Sequence, residues 1–148
     1  MRRVVGWGLW GATGLVLALA WSWPSLSDRL WGAPGEMRPG CDPEAGFCPV
    51  AFEDGAEVRL RVETSTLPRR KRHFGFFVEA PGLEPSLIEL SGVEMNMGLF
   101  RLPLHPGPGA VWTATAPLPL CTLKQMSWRA DVRLGDRRAR FFFRSERP

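Results

Sequence analysis

Sulfur is the element through which this chain could do chemistry. Met95 and Met97 form a Met-x-Met pair, and Cys121 is followed at Met126 by a further thioether. In an extended segment, side chains two apart share a side, so Met95 and Met97 would present both thioethers together. Thioether and thiolate sulfurs are soft donors that suit Cu(I). The same methionines would serve equally well as pliable core filler. The residues decide between copper binding and packing only if the two segments meet in space. His73 offers an imidazole as a further donor. It closes the basic run Arg69-Arg70-Lys71-Arg72-His73, which reads as a solvated loop or as a contact for an acidic partner or anionic headgroup. His105, set among prolines and glycines, reads as an exposed turn residue.

Two further thiols stand closer together. Cys41 and Cys48 enclose DPEAGF, whose Pro and Gly let a short loop close. A structural disulfide is one reading. A redox-active or metal-binding dithiol is another, and pairing of either cysteine with Cys121 is a third. With 2 His in the whole chain, a three-histidine metal site is excluded. With Tyr 0, tyrosine chemistry is excluded as well. No G-x-S-x-G, H-E-x-x-H, P-loop or G-x-G-x-x-G occurs, so the chain reads as a non-enzyme apart from thiol chemistry at the cysteines.

The elements that must position these groups are short. The chain has 148 residues, 45% hydrophobic and 23% charged, which allows one modest domain and a tail. Gly 16 and Pro 14 are high for a helical bundle and ordinary for strands joined by turns. Residues 57–63 alternate without a fault, with Val58, Leu60 and Val62 on one side. Residues 49–53, 73–79, 87–90, 95–104, 111–116, 126–134 and 139–144 follow as extended runs. Gly98 and Pro103 read as kinks in the fourth of these. No segment after residue 48 shows a helical apolar period. Seven or eight strands with frequent turns point to an all-β, immunoglobulin-like antiparallel β-sandwich, with a small barrel as the alternative.

One N-terminal transmembrane helix precedes it. Arg2 and Arg3 are followed by an apolar run, 4–23, of about 20 residues, enough to cross a hydrocarbon core. The positive-inside rule keeps the arginines in the cytoplasm and exports the remainder. Trp7, Trp10, Trp21 and Trp23 suit an interfacial belt. The alternative is a signal sequence cut after Ala18-Leu19-Ala20. Either way the organisation reads as anchor or signal (1–24), linker with the Cys41/Cys48 loop (25–48), and exported domain (49–148). The expected location is the inner membrane, single pass, with the domain in the periplasm. Setting Arg2 and Arg3 aside leaves 17 basic against 15 acidic side chains, and export removes nucleic acid as a partner.

The stretch Leu90-Ser91-Gly92-Val93-Glu94-Met95-Asn96-Met97-Gly98, with Trp112 on the next strand and Trp128 beyond, resembles the FixH and YtkA-like group. These are small membrane-anchored, exported β-sandwich proteins. Leu118-Pro119-Leu120-Cys121 with Met126-Ser127-Trp128 also resembles a class of uncharacterised proteobacterial exported proteins. The resemblance covers about 58–134 and implies an accessory role in assembly of a haem–copper respiratory oxidase, with copper as the bound metal. The implied partners are the inner membrane and an oxidase subunit or copper chaperone. Carried over by position, Met95 and Met97 are the leading ligands, followed by Cys121, Met126 and His73. The rival readings are a metal-free interaction module and a thiol–disulfide partner acting through Cys41 and Cys48.

Overall fold

The computed structural model describes residues 34–67, 71–117 and 124–146, with Ala20 an isolated described position before them. The anchor or signal segment therefore lies outside the described residues, and so does Cys121. Among the described residues no helix is long and apolar enough to cross a membrane.

The domain is all-β. Its strands are β1 (Gly35–Glu36), β2 (Cys48–Ala51), β3 (Glu57–Leu67), β4 (Lys71–Glu79), β5 (Leu87–Gly92), β6 (Leu99–Pro103), β7 (His105–Pro106), β8 (Val111–Pro117), β9 (Gln125–Leu134) and β10 (Arg137–Glu146). They form two separate five-stranded sheets rather than a closed barrel. One has the order β1-β10-β9-β5-β6 and the other β2-β3-β4-β8-β7. Every neighbouring pair is antiparallel except β1 and β10.

Alternation in the sequence explains what each strand buries. Val58, Leu60 and Val62 on β3, with Phe74, Phe76 and Val78 on β4, are fully buried. Opposite them lie Trp128, Ala130 and Val132 on β9 and Phe141 and Phe143 on β10. The sheets meet through rings. Phe74 stands edge-on to Trp128 at 5.7 Å and to Phe143 at 5.2 Å between centroids. Such contacts add about 0.5–1.5 kcal/mol each to the burial of the rings themselves. The buried Trp128 indole N–H donates to Ser145 Oγ at 2.8 Å, so the core leaves that donor satisfied.

Three boundaries differ from the sequence expectation. The folded unit begins at Pro34, so the second half of the 25–48 segment belongs to it. Here β1 pairs with β10, and Cys48 is wholly buried. The basic run is not all loop: β4 starts at Lys71, so Lys71, Arg72 and His73 have strand backbone. Residues 93–98 are not extended with 99–103 but form the connection between β5 and β6. Asn96 Oδ1 accepts from the Gly98 amide at 3.0 Å, and Gly98 takes φ 85. An Asx turn and a left-handed glycine end the strand pattern there.

Candidate functional site

The Met-x-Met segment is tied across the start of β9. Gly92, the last residue of β5, pairs with Trp128. The next amide, Val93 N–H, donates to the Ser127 carbonyl at 3.0 Å. The Glu94 carboxylate accepts from the Ser127 amide at 2.8 Å. That hydrogen bond holds the Glu94 carboxyl below its usual range. The loop is therefore pinned on both sides of Ser127, one residue after Met126. Exposure then alternates: Val93, Glu94, Asn96 and Gly98 face solvent, while Met95 and Met97 are half-buried against the core.

Met126 closes the contact from below. It faces the core and is 2% exposed. A Cβ built on Gly92 would run into the Met126 methyl and lie 2.5 Å from the Met95 carbonyl oxygen. Glycine at 92 is what lets the Met126 side chain and the Met95 backbone approach each other. Three of the sequence-predicted residues, Met95, Met97 and Met126, thus belong to one end of the fold.

The others are placed differently. His73 pairs with Ser65 on β3 and Pro117 on β8, at the same end of the domain. Its neighbour Phe74 points inward to Trp128, so His73 faces the outer side of its sheet, away from Met126. His73 Nδ1 is buried there without a hydrogen-bond partner. Cys121 lies in residues 118–123, outside the described residues. Among the described residues no group of three or more His, Cys, Asp or Glu could hold a metal ion. A metal bound here would rest on thioether sulfur.

Cys41 and Cys48 form a disulfide, with Cα atoms 5.8 Å apart. The loop they close is tied to the sheet. The Pro43 carbonyl accepts from the Val62 amide at 2.8 Å, and Thr64 donates its hydroxyl to Glu44 Oε1 at 3.0 Å. Inside the loop, Ala45 and Gly46 amides donate to the Asp42 carbonyl. Cys48 has no accessible surface, which withholds one sulfur from an attacking thiolate.

A second feature escaped sequence reasoning. The outer face of the β9/β10 sheet carries a depression of about 370 Å³, with Arg129 and Phe142 among its walls and Val93 and Asn96 contributed by the β5–β6 connection. The signal was the unbroken Phe141-Phe142-Phe143 run, in which strand alternation must turn the middle ring outward. Comparison with protein-family models, curated proteins and solved structures finds no match for this chain.

Proposed function

We propose that this chain is a non-enzymatic accessory protein of the cell envelope whose exported domain holds Cu(I) through methionine sulfur. On this reading residues 1–24 anchor it in the inner membrane, and the two facing sheets form an immunoglobulin-like sandwich. It serves assembly of a haem–copper oxidase by receiving copper from a chaperone or passing it to an oxidase subunit. The observation that carries the copper reading is the double hydrogen bond of Val93 and Glu94 to Ser127. It holds the Met95 backbone over Gly92, beside the Met126 methyl, and so supports a shared soft-donor site. Met95 and Met97 would be the accessible ligands. Met126 would complete the set after a small outward shift, and Cys121 is the thiolate candidate. His73 is the weaker candidate because it faces the other side of its sheet.

The disulfide supports an oxidising compartment and hence export. Its sealed Cys48 weighs against a thiol-exchange role for the pair. The metal-free interaction module has one observation in its favour, the apolar outer face around Phe142.

Cu(I) titration of the full chain in a mild detergent, against a competing chelator, tests the proposal. Met-to-Leu exchanges keep volume and cost under about 1.5 kcal/mol each. The Met95→Leu/Met97→Leu protein should therefore stay folded and lose binding that the parent shows. Equally negligible binding by both proteins would remove copper from the reading.

A further inference from the structure

We propose that the outer face of the β9/β10 sheet is a docking surface for an extended segment of a partner protein. That segment carries a carboxylate side chain with an apolar side chain two residues away on either side. The proposal goes beyond the copper reading and does not rest on it.

The exposed large apolar side chains among the described residues are Val93, Leu99 and Phe142, at 54%, 49% and 41%. All three lie on this one face. Phe142 pairs with Arg129, Ser91 pairs with Arg129 from the other side, and Leu99 pairs with Ser91. These four residues make a single row across β10, β9, β5 and β6. Three strand spacings put the ends of that row about 14 Å apart. Val93 borders the row at the next level. That all three share one face, when exposed apolar side chains usually scatter singly, is the first ground for the proposal.

The charge within the row fixes what would fit. Arg140, beside the depression, is already committed: it forks onto Asp131 at 2.9 and 3.2 Å. Arg133 and Arg101 share Glu89. Arg129 is held far less. Its ion pair among the described residues is with the same Asp131 at 3.9 Å, and its side chain is 43% exposed. A guanidinium between two apolar groups, lining a depression with the polar groups of Ser91 and Asn96, suits a carboxylate flanked by apolar side chains. In an extended peptide, residues i, i+2 and i+4 share a side and span about 13 Å, close to the length of the row. A second copy of the chain is disfavoured, because the Glu89 and Asp131 carboxylates on its own face are already paired with Arg133 and Arg140 and leave none to meet Arg129.

The probe is the peptide acetyl-Phe-Ser-Asp-Ser-Leu-amide, titrated into the ¹⁵N-labelled full chain in a mild detergent and followed by amide shifts. The expected result is saturable shifts of Ser91, Gly92 and Arg129, with the Asn counterpart of the peptide binding about tenfold more weakly. Arg129→Gln should abolish the preference for Asp over Asn. Phe142→Ser should weaken both peptides and keep the preference. Phe142 is exposed and Arg129 half-buried on the outer face, so both variants should retain the parent spectrum elsewhere. Absence of saturable shifts, equal response to the Asp and Asn peptides, or binding unchanged by both variants would overturn the proposal. Equal binding of octanoate at the same amides would also overturn it, in favour of a small-carboxylate pocket. Concentration-dependent shifts at these residues without peptide would overturn it in favour of self-association.

Discussion

Glu44 is an acid whose environment works against its charge. Partial burial raises its pKa above the ordinary 4.5, while the Thr64 hydroxyl opposes the shift. A raised carboxylate pKa means that folding favours the protonated form. The associated stability is full below the ordinary value and is lost as pH rises through the raised one. Glu44→Gln keeps an acceptor for Thr64 and removes the charge. Its urea midpoint should exceed that of the parent at pH 7 and converge with it below pH 4.5. A lower midpoint at pH 7 would contradict this. Gly92 is constrained by space. An added methyl would meet the Met126 side chain and the Met95 backbone, and the backbone cannot rotate away. Gly92→Ala should cost about 1–3 kcal/mol, read from denaturant unfolding, as overpacked sites do. No change in stability would mean that the β5–β6 connection is not pressed onto Met126.

Among the elements, the Cys41–Cys48 loop secures the first part of the folded chain. It joins β1, in one sheet, to β2, in the other. Replacing both cysteines by alanine should cost about 2.5 kcal/mol by the chain-entropy relation for so short a loop. The parent measured with and without reductant provides the check, and an unchanged midpoint in both comparisons would show that the hydrogen bonds of Pro43 and Glu44 suffice alone. The strands with clean alternation were legible from residue order: Val58/Leu60/Val62, Phe74/Phe76/Val78 and Trp128/Ala130/Val132 bury as their period demands. Among the described residues eight strands have four or more residues, as the turn spacing suggested. The β5–β6 connection was less legible, because M-N-M-G-L-F reads as extended in isolation. Its course is set by long-range bonds from Val93 and Glu94 to Ser127, which no local pattern encodes. The basic run misled for a related reason. Pairing of Lys71 and Arg72 with Leu67 and Thr66 outweighs their preference for a solvated turn.

For the molecule as a whole, one short connection serves two surfaces. Met95 and Met97 lean on the core, while Val93 and Asn96 border the depression beside Arg129. A protein docked on that face would touch the methionine segment from behind; under the proposed copper role, hand-over would lie next to the point of recognition. Confinement to a membrane would raise the effective concentration of such a partner. Intact-mass measurement of the protein extracted from membranes should show residues 1–24 retained; loss of 1–20 would instead indicate cleavage at Ala18-Leu19-Ala20.

The final strand runs towards the same end as the methionines. Glu146 lies opposite Gln125, immediately before Met126. A polyhistidine tail fused behind β10 would follow a strand that ends at the Met126 end of the sheet and would bring a row of imidazoles to the chain. Purification through such a tail would create a copper ligand set that the natural chain does not possess. Affinity handles belong elsewhere, or must be cut off before any copper is weighed.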